Sequence, residues 1–201
     1  MAWEDFALLL FEQYGARCFV IGRDFRFGHE AQGNAQNLGE WCRKRNIHLE
    51  IIDEVYLAGQ PVRSSRIRSL LQAGEMAEAM ACLGRAYTLS GEVLRGRQLG
   101  RTLGYPTANI CPPAEKLLPK KGVYRSLCVL EGQSFPSISN IGCRPTVDGA
   151  AVVCESHLIG LERSEFYGAE LTVMLLDFVR EERTFGSLEA LKEQIKQDIG
   201  H

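Results

Sequence analysis

The hydrophobic pattern of the first half alternates between helical and strand-like periods. Residues 3–14 follow a helical period. One face of this predicted helix carries Trp3, Ala7, Leu10, Phe11 and Tyr14. The alternation continues with a predicted strand at 18–22, a helix at 35–45, a strand at 47–53, a helix from Ser64 or Ser65 and a helix over 75–83. Short alternation of this kind predicts a parallel α/β unit, and because such a unit normally opens on a strand, this half reads as the later part of an α/β domain.

The pattern changes near Gly84. Beyond it, strand-like runs are separated by Gly, Pro, Asn and Asp turns, so the second half is predicted to be mainly β. The spacing of these runs predicts a closed or partly closed antiparallel barrel, which leaves few strand edges exposed. A final helix is predicted after Ser187, which has the residue type of an N-cap. Its apolar stripe consists of Leu188, Leu191, Ile195 and Ile199.

Composition and charge narrow the function classes. The 201 residues are 45% hydrophobic and carry a formal net charge of −2, which gives no overall attraction to nucleic acid or to an anionic membrane. The seven cysteines show no Cys-x-x-Cys spacing, so they are interpreted as buried free thiols in a reducing compartment. No segment has the pattern of a signal peptide or a membrane span. We therefore expect a cytoplasmic protein in which any anion-binding site is formed by a local cluster of residues.

The strongest candidate for anion binding is the stretch GRQLGRTLGYPTANI, residues 96–110. Its first part combines glycines with arginines, among them Gly96, Gly100, Arg101 and Gly104. Glycines let backbone N–H groups approach a ligand closely, and arginines neutralise phosphate charge. The competing interpretation is a glycine-rich hairpin with solvated arginines.

The end of this stretch favours the phosphate interpretation. Thr107 and Asn109 are two residues apart on an extended segment, so their side-chain oxygens lie on the same side. Two neutral oxygen ligands beside a phosphate cradle suit Mg²⁺, which takes its other ligands from substrate phosphates and water.

A carboxylate on another predicted strand is the candidate general base. In the run 152–158, period-2 alternation places Val153, Glu155 and His157 on one face. Taken alone, Glu-x-His is typical of a solvated strand face. Beside a phosphate cradle and a magnesium ion, however, Glu155 is predicted to orient a substrate hydroxyl for in-line attack and to accept its proton late.

Three further stretches contain candidate site residues. The segment 139–149, with Asn140, Gly142 and Arg144, is by itself a hairpin connection. The segment 22–34 follows a predicted strand, at the edge where α/β sheets bind ligands, and carries Asp24, Phe25 and Phe27, whose two rings suit stacking on a planar ligand. The helix predicted from Ser64 or Ser65 begins with Ser64, Ser65, Arg66 and Arg68. This N-terminus is either an anion site or the start of an ordinary capped basic helix.

In the second half, the motifs LGRTLGYPTANI, KGVY, NIGCRPT, ESHLI, FYG and FGSLEALKEQIKQD stand in a specific order and spacing. In these motifs the chain resembles the bifunctional riboflavin kinase/FMN adenylyltransferases, the bacterial FAD synthetases. The resemblance implies an α/β remnant over residues 1–83, which is a partial Rossmann-like nucleotidyltransferase domain. It implies over residues 84–201 a riboflavin-kinase-like Greek-key barrel, mainly β, with a C-terminal helix.

The resemblance also implies roles for the candidate residues. Thr107 and Asn109 would serve the Mg-ATP site, Glu155 would be the catalytic base for the ribityl 5'-hydroxyl, and the loop 96–104 would cover the nucleotide phosphates. The flavin contacts would come from Asn140, Gly142 and Arg144. This chain departs from the family at Val147, where an aromatic residue usually follows Pro-Thr.

The first half resembles the later part of the adenylyltransferase module. GRDFRFG matches its flavin-side motif, and SSRIR matches its nucleotide-side motif with Ser65 at a threonine position. The His-x-Gly-His phosphate cradle of that module is missing from the 201 residues, so we expect a synthetase without the start of its first domain.

The sequence thus predicts a riboflavin kinase that converts ATP and riboflavin to ADP and FMN with Mg²⁺. FMN adenylyltransferase activity is expected to be lost or impaired. The alternative is a catalytically silent chain that binds a flavin or a nucleotide. An RNA-binding barrel has no support, because the arginines concentrate at one loop and the sequence shows no aromatic stacking platform.

Overall fold

The computed structural model describes residues 1–95, 104–146, 149–161 and 166–200. The chain forms two compact units, Met1–Val62 and Arg63–His201. The described residues form five α-helices and ten strands.

The first unit is a small α/β layer. Its elements are α1 (Trp3–Glu12), β1 (Cys18–Gly22), α2 (Ala35–Lys44), β2 (His48–Ile52), β3 (Tyr56–Leu57) and β4 (Gln60–Pro61). Strands β1 and β2 pair in parallel, which confirms the predicted α/β character. Both helices pack over a core of Ala7, Phe19, Leu38, Trp41 and Cys42. On the opposite face of this sheet, the side chains of Val20 and Ile52 are exposed.

Local sequence explains the ends of the helices in this unit. Asn34 Oδ1 accepts a hydrogen bond from the backbone N–H of Asn37 at 2.9 Å, which caps α2. Helix α1 ends at Glu12, so the prediction that Tyr14 lies on the apolar face of this helix is wrong. Tyr14 lies beyond the helix and is 75% exposed.

The second unit is a six-stranded antiparallel sheet with three helices. Its elements are α3 (Ser64–Ala73), α4 (Met76–Leu83), β5 (Tyr87–Glu92), β6 (Thr107–Ile110), β7 (Gly122–Leu130), β8 (Gln133–Thr146), β9 (Gly149–Leu158), β10 (Glu170–Arg180) and α5 (Leu188–Gly200). The strand order is β5-β10-β7-β8-β9-β6. Strands β7, β8 and β9 are consecutive neighbours and β10 returns beside β7, which is the predicted Greek key.

The two edges of this sheet meet at one point. The backbone N–H of Leu94, just after β5, donates to the carbonyl of Asn109 in β6 at 2.8 Å. The sheet is thereby partly closed into a barrel, as the strand spacing predicts.

A two-residue turn fixes the register of β7 against β8. Glu131 and Gly132 have φ angles of 50° and 78°, the sign that a type I′ hairpin turn requires at both positions. Leu130 pairs with Gln133 across this turn, and the pairing continues without a shift to Val123 opposite Asn140.

The inside of the barrel combines an apolar core with a chain of buried hydroxyls. The largest fully buried side chains include Tyr124, Leu89, Ile110, Ile141, Leu171 and Leu175. Beside them, Ser139 Oγ lies 2.6 Å from Ser156 Oγ and 2.7 Å from Ser126 Oγ, and Ser126 also bonds to Ser137. We call these four residues the serine chain. Each of these buried hydroxyls therefore has at least one hydrogen-bond partner within the chain.

Buried thiols flank the serine chain. Ser137 Oγ donates to Cys128 Sγ at 3.2 Å, and Cys154 Sγ lies 3.7 Å from Ser156 Oγ. Burial raises the pKa of the Cys154 thiol to about 12. The interpretation of the cysteines as buried thiols is only partly correct, since Cys18 and Cys111 are exposed.

Helices precede and follow the barrel strands along the chain. Leu71 of α3 and Met76 of α4 belong to the core of the second unit, and the backbone N–H of Lys120 donates to the carbonyl of Leu71 at 2.9 Å. The compact unit therefore begins at Arg63, whereas the functional division at residues 83 and 84 stays a prediction. Helix α5 begins after Ser187, whose Oγ accepts from the N–H of Ala190 at 3.1 Å, as predicted for an N-cap.

Candidate functional site

Three candidate residues from three strands stand side by side in the sheet. Asn109 of β6 pairs with Glu155 of β9, and Glu155 pairs on its other side with Asn140 of β8. We call this set the carboxylate row. Directly opposed residues of antiparallel strands have Cβ atoms about 4.5–5.5 Å apart on one face. The carboxylate predicted as base is thus flanked by two amide side chains.

Thr107 fixes the carboxylate of Glu155. Its hydroxyl donates to Glu155 Oε1 at 2.5 Å, while both side chains are half-buried. Thr107 and Asn109 alternate along β6 with the buried Ala108, so their side chains lie on the same side, as predicted. This is also the side of the sheet that carries Glu155. A hydroxyl that donates to a carboxylate keeps its lone pairs for a cation or a water.

His157 contacts the residues at the start of β6, the strand that carries Thr107. It pairs with Thr107 in the ladder, and its Nδ1 lies 2.9 Å from the carbonyl oxygen of Pro106. Because a carbonyl only accepts, Nδ1 carries the proton. The ring of Tyr105 meets the imidazole edge to face at 5.3 Å between centroids. The sequence placed His157 beside Glu155 but assigned it no role, since nothing local pointed to Pro106.

Asn140 bonds to a residue that the sequence patterns did not single out. Its Nδ2 donates to Glu182 Oε1 at 2.9 Å. Its Oδ1 is buried and has no hydrogen-bond partner within the described ranges. Gly142, two residues along β8 on the same face, lies against Glu182, and Arg144 follows in the same strand opposite Ala151. The side chain of Arg144 lies outside the described residues.

Most of the predicted phosphate loop also lies outside the described residues. This holds for Gly96, Gly100 and Arg101, and likewise for Val147. Gly104, at the end of the loop, is exposed and has a φ of 84°.

The candidate flavin-side residues of the first half lie after β1. The rings of Phe25 and Phe27 stack at 5.3 Å between centroids. Phe25 is 41% exposed, whereas Phe27 is half-buried and packs edge to face on Trp3 at 6.2 Å. Of the two rings, Phe25 therefore offers the more accessible face, while Asp24 lies in the turn before it.

The candidate nucleotide-side residues belong to the second unit, at the start of α3. Ser64 and Ser65 are exposed in its first turn, and among the described residues no side chain makes an N-cap hydrogen bond to this helix. Arg66 Nη2 lies 3.7 Å from Glu78 Oε2 of α4, while Arg68 is exposed. The segment thus has the form of an exposed basic helix start.

The oxygen donors of the site decide which metal it suits. Among the described residues, no three His, Cys, Asp or Glu side chains come together as a metal-binding group. The donors near Glu155 are the Thr107 hydroxyl and the Asn109 amide, and Asn109 is 5% exposed. One carboxylate with neutral oxygens fits Mg²⁺ that takes further ligands from phosphates and water, and does not fit zinc.

In the described part of the chain, no helix is long and apolar enough to span a membrane.

Family models match both parts of the chain. Residues 83–201 match the model of the riboflavin kinase family, and residues 1–66 match the model of the FAD synthetase family.

Curated relatives and a solved structure extend these matches. The chain is 37% identical over 193 residues to a bifunctional riboflavin kinase/FMN adenylyltransferase of Pseudomonas fluorescens, covering 95% of this chain and 61% of that protein. The Escherichia coli K12 protein of the same description is 34% identical, with 94% and 60% covered. The chain thus spans about three fifths of the length of these relatives. A crystal structure described as a macrolide-efflux protein from Streptococcus pneumoniae matches with a TM-score of 0.88 at 27% identity, covering 100% of this chain and 64% of that chain.

Proposed function

Since the chain belongs to the riboflavin kinase family, we propose that it transfers the γ-phosphoryl group of ATP to the ribityl 5'-hydroxyl of riboflavin, which gives ADP and FMN. The observation that supports this most directly is the position of Glu155. Its carboxylate is flanked by Asn109 and Asn140 and accepts a hydrogen bond from Thr107. A fixed carboxylate beside neutral oxygen donors is what a loose phosphoryl-transfer transition state requires.

In the proposed reaction, Glu155 orients the 5'-hydroxyl for in-line attack. The 5'-oxygen forms a bond to the γ-phosphorus while the bond from that phosphorus to the β,γ-bridging oxygen breaks, and ADP leaves. The hydroxyl proton passes to the Glu155 carboxylate late in the step. Thr107 keeps the carboxylate in place through its hydrogen bond, so little reorganisation accompanies the transfer.

Thr107 and Asn109 are the residues that would hold Mg²⁺ together with the nucleotide phosphates. When bound there, Mg²⁺ neutralises the charge of the phosphates. We assign the cover of the phosphates to the loop with Gly96, Gly100, Arg101 and Gly104. We assign flavin contacts to Asn140, Gly142 and Arg144.

Chromatography of FMN formed from riboflavin and Mg-ATP tests this proposal. Glu155→Gln keeps the shape of the side chain but cannot take the proton, so we expect kcat to fall about 10²- to 10⁴-fold. Glu170→Gln, which changes an exposed residue at the start of β10, is the matched control and should keep the wild-type rate. A Glu155→Gln variant with full activity would remove Glu155 from the mechanism. Quenching of flavin fluorescence without turnover by the wild type would favour a silent flavin-binding chain.

A separate titration tests the metal assignment. Asn109→Ala removes a neutral oxygen donor, so the Mg²⁺ concentration for half-maximal rate should rise. An unchanged Mg²⁺ dependence would contradict the role of Asn109.

Adenylylation of FMN to FAD is proposed to be absent or very weak in this 201-residue chain. The support is the lack of a His-x-Gly-His segment in the sequence, because that motif cradles the nucleotide phosphates in the adenylyltransferase module. On this proposal residues 1–83 are the partial adenylyltransferase part and residues 84–201 the kinase. Incubation with FMN and ATP tests it: FAD formed at a rate comparable to the kinase step would contradict the proposal.

A cytoplasmic location also belongs to this proposal. It is supported by the cysteines of the described residues, which are free thiols.

A further inference from the structure

The Asn140 amide has a defined orientation because of its partner. An ionised carboxylate only accepts hydrogen bonds, so the NH₂ group of Asn140 must face Glu182, as the 2.9 Å contact from Nδ2 to Oε1 has it. The amide oxygen is then directed away from Glu182. That oxygen is buried and without a partner among the described residues, a state that costs about 1–3 kcal/mol unless a donor is supplied. A bound ligand is a natural source of this donor.

The position of this oxygen indicates the class of donor. Asn140 stands directly opposite Glu155, the group proposed to receive a hydroxyl proton. Consider a polyol ligand whose terminal hydroxyl reaches Glu155. Its next hydroxyls then lie near the neighbouring residue of the carboxylate row, Asn140. Such hydroxyls are donors that match the free acceptor of Asn140.

Glu182 is itself held in place by its surroundings. Gly142 packs so closely against it that a Cβ atom at this position would overlap Glu182 Oε1. On the N-terminal side, Arg180 donates to Asp198 of α5 from Nε at 3.0 Å and from Nη2 at 2.6 Å. The intervening Glu181 pairs with the Lys120 ammonium at 3.1 Å. The backbone that presents Glu182 is thus tied to the barrel and to α5.

From these contacts we infer that Glu182 is a positioning residue for the flavin substrate. Its carboxylate holds the Asn140 amide so that Oδ1 accepts a hydrogen bond from a hydroxyl of the ribityl chain. Without Glu182 the amide rotates freely and presents either its oxygen or its NH₂ group. The inference rests on the proposed function, because it takes the polyol of riboflavin as the ligand.

Two binding readouts test the role of Glu182. Glu182→Ala should raise the KM for riboflavin, and the Kd for riboflavin from flavin fluorescence, about two- to threefold, because a freely rotating Asn140 amide presents its oxygen for only part of the time. The KM for ATP should stay unchanged, since the Asn140 oxygen does not face the nucleotide in this assignment. Glu182→Gln should lie closer to wild type, because its amide oxygen still accepts from Asn140. Glu170→Gln, at the exposed start of β10, is the matched control and should leave both constants unchanged.

A double-mutant cycle separates positioning from general support of the fold. In an Asn140→Ala background, Glu182→Ala should add no further increase in the riboflavin constants, because the residue through which it acts is gone. Independent, multiplying effects of the two substitutions would overturn the inference. So would an equal rise in the KM values for riboflavin and ATP, or an unchanged riboflavin Kd in Glu182→Ala.

The same measurements separate this inference from the proposed function. If the wild type binds riboflavin but forms no FMN, the proposed function fails alone, and the Kd comparison still decides on Glu182. If the wild type does not bind riboflavin at all, both are overturned.

Discussion

Loss of one partner of the buried ion pair between Arg180 and Asp198 is predicted to destabilise the second unit strongly, because the other charge is then left buried and uncompensated. The Asp198 side chain is 3% exposed and that of Arg180 is 13% exposed. Asp198 accepts from Nε and Nη2 of Arg180 and from Nε2 of Gln194, also at 3.0 Å. This pair connects the end of β10 to α5.

Asp198→Asn tests this contribution with almost no change in side-chain volume. The substitution removes the charge and turns one acceptor into a donor that faces the guanidinium. Because a buried cation is left without its partner, we expect the free energy of unfolding to fall by about 3–5 kcal/mol. At about 2–4 °C per kcal/mol for a chain of this size, the midpoint should fall by roughly 6–20 °C.

Urea and thermal unfolding followed by far-UV circular dichroism measure the effect. Both tryptophans, Trp3 and Trp41, lie in the first unit, so circular dichroism and not tryptophan fluorescence must follow the barrel. The matched control is Glu193→Gln on the same helix. Glu193 pairs with Lys196 at 3.4 Å, both more than half exposed, so its loss should cost less than about 0.5 kcal/mol. Equal effects of Asp198→Asn and Glu193→Gln would refute the reasoning.

Two further predictions concern the inside of the barrel. Ser139→Ala removes one hydrogen-bond partner from each of the buried hydroxyls of Ser126 and Ser156. The free energy of unfolding measured in urea should therefore fall by about 1–3 kcal/mol. A smaller fall would contradict the prediction and would mean that the remaining hydroxyls find other partners. The second prediction concerns Cys154, whose thiol has a raised pKa and stays protonated in the folded state, whereas the same thiol ionises near pH 9 in the unfolded chain. The free energy of unfolding should therefore fall between about pH 9 and 12, by up to about 1.4 kcal/mol per pH unit. Cys154→Ala should make this pH dependence shallower, and an unchanged dependence would contradict the assignment.

Local patterns predicted most of the elements and indicated the family. The segment 139–149, which by itself was interpreted as a hairpin connection, is an exception, because its residues up to Thr146 belong to strand β8 and pair with β9. Strand β1 has the predicted bounds, and the Ser187 cap forms as expected, because period, cap and turn residues act over a few positions. The family models and relatives confirm the resemblance that the motifs of the second half indicated. The Greek-key barrel follows from that resemblance, and strand spacing alone predicted only an antiparallel barrel.

Contacts between distant strands were beyond the reach of local patterns. The sequence proposed Thr107, Asn109 and Glu155 as partners. The hydrogen bond between Thr107 and Glu155, which are 48 residues apart, and the pairing of Asn109 with Glu155 both depend on the register of β6 against β9. Glu182 was missed because a glutamate in the charged run after β10 is typical of a solvated segment. Its signal lies in Gly142, whose missing side chain leaves room for it, and this becomes visible only when β8 and the end of β10 are brought together.

The two-residue turn at Glu131 and Gly132 determines where length changes in this chain are harmless. One residue inserted in the turn itself only lengthens a surface loop, which is thermodynamically cheap. One residue inserted within β8 before Asn140 turns every later side chain of that strand to the other face, so Asn140 moves from beside Glu155 into the barrel interior. Insertions and deletions among functional homologues should therefore collect at the turn and spare the seven positions from Gln133 to Ser139.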